Sequence, residues 1–136
     1  MMISTFLRAA LGVSALLASG LLGSAAFAAA TDYRVEVVGA RAAGAGKTDV
    51  TIRLIRVPDN KPVPDAVIFQ TRADMAPAGM PTMTGNVSPP AAQQPPGTYR
   101  LQVETGMAGN WALTLSAKVQ GEAETVRATV PFSAAQ

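Results

Sequence analysis

The sequence predicts an all-β fold. Apolar and polar residues alternate with a period of two in several short runs, which is the pattern of a strand that buries one face. The breaks between these runs are rich in Gly and Pro, and no stretch after residue 30 keeps the 3.6-residue apolar period of an amphipathic helix. About six to seven such strands in about 100 residues predict an immunoglobulin-like antiparallel β-sandwich, with a barrel as the alternative.

The first thirty residues have the composition of a secretory signal peptide, which we predict to precede the sandwich. Arg8 is the only charged residue before Asp32, and the stretch between them is built mostly of Ala, Leu, Gly, Ser and Val. Ala26-Phe27-Ala28 supplies the small-residue cleavage pattern, which places cleavage after Ala28, with Ala30 as the alternative position. A retained transmembrane anchor is the competing interpretation, but Gly and Ser residues interrupt the apolar run and no basic cluster follows it. We therefore expect a signal peptide over residues 1–28 and a single periplasmic domain over 29–136, with no stable membrane anchor after cleavage.

The strands follow one another along the mature chain at short intervals. The longest alternating run places Trp111 and four smaller apolar residues on one face, so Trp111 is the predicted centre of the core. The turn Gln120-Gly121-Glu122 then predicts a hairpin with the last strand. The predicted strands are centred on residues 33–37, 50–54, 66–71, 99–103, 111–119 and 126–132.

Composition excludes several classes of function. The 136 residues include no Cys and no His, so the chain has no disulfide, no Cys/His zinc site, no Cys nucleophile and no Ser-His-Asp triad. Lys and Arg number 11 against 9 acidic residues, a net charge of +2 without a basic run, which argues against a nucleic-acid partner. The carboxylates fall mostly at outward strand positions or in turns, and residues 44–48 lack the upstream glycine of a phosphate-binding loop. We expect no catalytic residues and no enzyme activity.

Methionines cluster in a segment that sandwich building does not explain. Residues 74–84 contain Met75, Met80 and Met83, and the one other methionine after the initiator region, Met107, precedes Trp111 by four residues. Pro and Gly interrupt the segment, so it is predicted to be an extended or turning loop that lies on no alternating strand face.

Thioether sulfur is a soft ligand that favours Cu(I) and, by the same reasoning, Ag(I). It needs no deprotonation to bind, so it serves in an oxidising or acidic exported compartment. The pattern therefore indicates a metal site made of Met75, Met80, Met83 and Met107. The competing interpretation is that these methionines fill gaps in the core and contact Trp111. Asp74 is either an oxygen ligand or, beside Arg72, a solvated charge or a member of a weak ion pair.

The order of these segments resembles a known family. Asp65-Ala66-Val67 precedes the methionine segment, and Gly97-Thr98-Tyr99 and Gly109-Asn110-Trp111 follow it. From about Tyr33 to Phe132 this pattern is similar to the YtkA-like or FixH-like exported domains. The resemblance implies a β-sandwich module associated with copper handling, heavy-metal efflux or the assembly of copper-containing oxidases.

Two departures shape what the resemblance implies. FixH-type proteins keep a membrane helix, whereas cleavage is expected here, and the absence of His favours Cu(I) or Ag(I) over Cu(II). The expected function is a periplasmic Cu(I)/Ag(I)-binding accessory protein that serves a metal efflux pump or an oxidase-assembly partner. The alternative is a cell-envelope β-sandwich that binds a protein partner without metal.

Overall fold

Strands account for most of the chain between residues 30 and 135, the part that the computed structural model describes. No helix within this part is long and apolar enough to cross a membrane. The predicted signal peptide, residues 1–28, lies outside the described residues. In chain order the elements are a 3-10 helix (Ala30–Asp32), β1 (Tyr33–Ala42), β2 (Lys47–Arg56), β3 (Lys61–Pro62), β4 (Val67–Met75), a second 3-10 helix (Ala76–Ala78), β5 (Met80–Gly85), β6 (Ala91–Gln93), β7 (Thr98–Glu104), β8 (Gly109–Lys118) and β9 (Val126–Ala134).

The strands form two antiparallel sheets. The first has the order β1-β2-β7-β6, with the two-residue β3 pairing the end of β2, and the second has the order β5-β4-β8-β9. This is the strand order of an immunoglobulin sandwich with an additional edge strand, here β5, beside the third long strand. The predicted β-sandwich is confirmed, and so is the predicted hairpin, since β8 and β9 pair from Gly109↔Ala134 to Ala117↔Val126.

The core lies between the sheets, where the alternating apolar residues of both inner faces meet. Trp111 is 1% exposed, which confirms its predicted central position. Each large apolar side chain buried in this way contributes about 1.5–3 kcal/mol relative to an exposed one. The fully buried large side chains around it include Ile52, Leu54, Leu101, Leu113 and Leu115.

Two tyrosine hydroxyls fix the loops at one end of the sandwich. Tyr99 donates from its hydroxyl to the carbonyl oxygen of Val63 (2.7 Å) and accepts from the amide of Ala66 (3.1 Å). Tyr33 donates to Glu122 Oε1 (2.8 Å). The pKa of Tyr33 is raised to about 12, mainly by burial and to a smaller extent by this hydrogen bond. Desolvation likewise raises the pKa of Tyr99.

The opposite end carries three connections between strands. They are the β1–β2 turn (residues 43–46), the β4–β5 hairpin (75–80) and the β7–β8 loop (105–108), and we call this the methionine end. The turn and the loop lie side by side, since a Cβ built on Gly46 would be 3.9 Å from the Cα of Gly106. The length of the strands separates the methionine end from the end where Tyr33 and Tyr99 form their hydrogen bonds.

The structure corrects the prediction of a loop over residues 74–84. β4 continues to Met75, and the chain returns as the edge strand β5 from Met80. Gly79 allows the return because it has a φ of 79° at the end of the intervening 3-10 helix. Pro81 is tolerated because an edge strand does not need its amide for the ladder. The short strands β3 and β6 also lie in segments predicted to be breaks.

Candidate functional site

β5 connects the two sheets beside the methionine end. Gly85 pairs with Ala73 in the second sheet, and two residues later Val87 bridges to Val103 in the first. The amide of Glu104 donates to the carbonyl oxygen of Asn86 (2.9 Å), so the chain passes very close to β7. A Cβ on Gly85 would overlap the carbonyl oxygen of Glu104 and lie 3.5 Å from the Trp111 ring. Only glycine fits this crossing without a backbone shift.

Met75 and Met80 are brought together by the β4–β5 hairpin. They are register partners in the antiparallel pair, so their side chains lie side by side on one face. Met75 is 1% exposed and belongs to the core, whereas Met80 is 37% exposed at the rim. Met75 therefore packs in the core, as the competing interpretation of the methionines predicts. It ends β4, and the preceding inward-facing residue of that strand, Ala73, is also fully buried.

Met107 lies at the same end, on the loop that leads into β8. A Cβ built on Gly109 would be 3.1 Å from the terminal methyl of Met75, which shows that this loop borders the hairpin. The loop is fixed on both sides: Trp111 Nε1 donates to the carbonyl oxygen of Met107 (3.0 Å), and the buried hydroxyls of Thr105 and Thr48 are 2.6 Å apart. The Met107 side chain itself remains 40% exposed.

Met83 lies in a bulge of β5. The register passes from Asp74↔Thr84 directly to Met75↔Met80, so residues 81–83 have no partner on β4. Met83 is 40% exposed in this bulge. Met80 and Met83 are thus three residues apart on one exposed edge, with Met107 on the neighbouring loop.

The carboxylates nearest the methionines already have partners. Asp74 Oδ2 accepts from Arg72 Nε (3.1 Å), as the sequence suggested, and Asp74 Oδ1 accepts from the amide of Ala76 (3.0 Å). Glu104 Oε2 accepts from Asn86 Nδ2 (2.9 Å). Residues 30–135 contain no group of three or more His, Cys, Asp or Glu side chains that could hold a metal ion. The methionine end therefore presents thioether sulfurs, which are soft donors, beside carboxylates that already accept hydrogen bonds.

Two features of this site were not found from the sequence. The glycine crossing at Gly85 has no local signal, since it depends on contact with a strand about twenty residues away. The hydrogen bond between Thr48 and Thr105, which holds the Met107 loop, is likewise long-range. In the sequence, neither threonine differs from any other threonine at a strand end.

Comparison with known proteins gives one match. The family model described as YtkA-like matches residues 27–116, which extend from before the first described element into β8. Neither the comparison with curated proteins nor that with solved structures returned a match for the chain.

Proposed function

The chain belongs to the YtkA-like family, and from this premise we propose that it is an exported accessory protein that binds Cu(I) or Ag(I) through methionine thioethers. The ion is cargo that the protein carries to a partner. The copper-handling role that the family resemblance implies and the chemistry of the methionine end agree on this class of ion.

The observation that supports the proposal is the location of methionines from two separate parts of the chain at one end of the sandwich. The Met75↔Met80 register pair and the contact of Gly109 with Met75 bring the hairpin and the Met107 loop to one end of the sandwich. Core packing alone does not require Met80, Met83 and Met107 to remain 37–40% exposed. Leucine is also a large apolar side chain, but it has no donor atom, whereas methionine adds a soft sulfur lone pair.

The proposed division of roles follows exposure. Met80, Met83 and Met107 are the accessible donors, and two or three of them suffice for a monovalent ion of low coordination number. Met75 is buried in the core with its methyl group next to Gly109, so its sulfur is shielded from solvent. It was predicted as a ligand together with Met80 and Met83, and in this proposal it supports the site from the core.

Transfer of the ion would proceed by ligand exchange. The donors stand on an edge strand and a loop, so a partner can offer its own ligands from the open side while the sandwich remains folded. A metal efflux pump or an oxidase-assembly component in the periplasm fits this role. We propose periplasmic localisation because of the signal-peptide pattern over residues 1–28.

One observation favours the alternative of a metal-independent interaction module. The exposed methionines at the methionine end form an adaptable apolar surface of the kind that binds protein partners. Leu substitution separates the two functions, because leucine keeps the apolar surface and removes the sulfur.

The proposal predicts a 1:1 complex with Ag(I). When Ag(I) is added to the mature protein labelled at the methionine methyl groups, the NMR signals of Met80, Met83 and Met107 are expected to shift in proportion until one equivalent is bound. Ag(I) is used because it does not change oxidation state in air. Mg²⁺, a hard cation that prefers oxygen ligands, is the control and should shift none of these signals. Unmoved methyl signals after excess Ag(I) would reject the proposed function.

A further inference from the structure

Three hydrogen bonds centred on Arg72 and Asp74 hold the methionine hairpin, and one of them joins β4 to β5. Arg72 Nε donates to Asp74 Oδ2 (3.1 Å), and Arg72 Nη2 donates to the carbonyl oxygen of Pro81 (3.2 Å). Asp74 Oδ1 accepts from the amide of Ala76 (3.0 Å). We call this set the Arg72–Asp74 clamp.

The clamp acts on the backbone that carries the exposed sulfurs. The Pro81 carbonyl lies between Met80 and Met83, in the bulge where β5 has no partner on β4. The Ala76 amide is the first after Met75 and begins the 3-10 helix that leads to Met80. One guanidinium and one carboxylate therefore hold both ends of residues 76–81, the turn that carries Met80 and leads into the unpaired bulge with Met83.

The clamp also engages the Asp74 carboxylate, a hard oxygen donor, in hydrogen bonds. Both oxygens of the Asp74 carboxylate accept hydrogen bonds, and its side chain is only 13% exposed. A carboxylate oxygen is also a hard donor, so the neighbouring thioethers are the better ligands for a soft ion.

We propose that Arg72 and Asp74 are positioning residues for the cation site: they hold Met80 and Met83 in a ligating arrangement before the ion arrives. This inference rests on the proposed function. Without the clamp, the bulge of β5 becomes ordered only when the ion binds, and the entropic cost of this ordering reduces the affinity for the ion. Disruption of the clamp is expected to weaken Ag(I) binding by about tenfold.

The chain contains a matched control. Arg34 Nε donates to Glu36 Oε1 (2.8 Å), which is also an Arg–acid pair two residues apart on a strand, and it lies in β1 far from the methionines. Both arginine side chains are about half exposed, so loss of the Arg72 pair through the arginine should change stability as little as loss of the control pair, whereas Asp74, 13% exposed against 39% for Glu36, also bonds the Ala76 amide. Glu36→Ala therefore reports what removal of such a pair does to the fold alone.

The test measures Ag(I) affinity and thermal unfolding for the wild type, Asp74→Ala, Arg72→Gln and Glu36→Ala. The expected result is an affinity about tenfold lower in Asp74→Ala and Arg72→Gln and unchanged in Glu36→Ala, with similar unfolding midpoints in the wild type, Arg72→Gln and Glu36→Ala. Arg72→Gln keeps the Asp74 acceptor for the Ala76 amide, so it remains informative if Asp74→Ala does not fold.

Two failures are distinguishable. If the wild type binds Ag(I) and the clamp variants bind equally well, the positioning inference is overturned while the proposed function stands. If the wild type itself does not bind Ag(I), the proposed function is rejected and the inference with it. An equal loss of affinity in Glu36→Ala would show that general stability governs binding, and would also overturn the inference.

Discussion

Gly85→Ala is expected to lower the free energy of unfolding by about 3 kcal/mol or more. The added Cβ would overlap the carbonyl oxygen of Glu104, which is backbone and cannot move like the end of a flexible side chain. Relief requires β5 to move away from β7 at the point where the chain passes between sheets, and this disturbs both the Ala73 pairing and the contact with Trp111. Urea denaturation followed by Trp111 fluorescence measures the effect.

Gly39→Ala is the control for this prediction. A Cβ at Gly39 would have no atom within 4 Å, and its backbone does not occupy the left-handed region, so the change should alter stability by no more than about 1 kcal/mol. Equal denaturation midpoints for the Gly85 and Gly39 variants would contradict the close crossing. Failure of only the Gly85 variant to fold would agree with it.

The second large effect is expected on metal affinity. Replacing Met80, Met83 and Met107 together with Leu should weaken Ag(I) binding by at least about a hundredfold, because leucine keeps the size and apolar character of methionine but has no donor atom. The three side chains are partly exposed, so the fold should keep its stability to within about 0.5 kcal/mol per substitution. Competition for Ag(I) or Cu(I) with a chromophoric chelator measures the affinity.

Met75→Leu is the companion variant. It is a nearly volume-conserving change in the core and should cost less than about 1.5 kcal/mol of stability. Because the proposal gives the accessible sulfurs the ligand role, this variant should bind Ag(I) nearly as the wild type does. Wild-type affinity in the triple variant would contradict the thioether site, and continued binding of a partner by that variant without metal would favour the interaction module.

Local alternation was sufficient to predict the long strands. The run from Trp111 to Val119 places its apolar residues on one face without interruption, and the structure buries all of them. The same reasoning works for β2, β7 and β9 because their inner and outer residues alternate with few interruptions. In such strands the period of two predicts the inward face, whereas burial on the opposite face, as for Ala112 and Ser116, depends on neighbours that the local sequence does not show.

Alternation was not sufficient for β4 and its methionines. Ile68 and Ala73 are both buried although they are five residues apart, a spacing that would place them on opposite faces of a regular strand. The irregularity between Phe69 and Arg72, where Gln70 has a φ of 51°, resets the phase of the strand. The burial of Met75 follows from that reset phase, so the sequence could not distinguish this core methionine from the exposed ones beside it.

The grouping of the methionines was only partly predictable. Met75, Met80 and Met83 are close in the sequence, so their occurrence in one segment required no structural knowledge. The approach of the Met107 loop depends on the pairing of β4 with β8 and on the hydrogen bond from Trp111, both of which are long-range consequences of the fold.

X-ray absorption spectroscopy at the copper edge of the Cu(I) complex tests the central claim most directly, because it identifies the atoms bound to the ion. The account predicts a first shell of two or three sulfur scatterers and no nitrogen or oxygen, in a chain whose sulfur comes from methionine alone. A first shell made of oxygen or nitrogen atoms would contradict it.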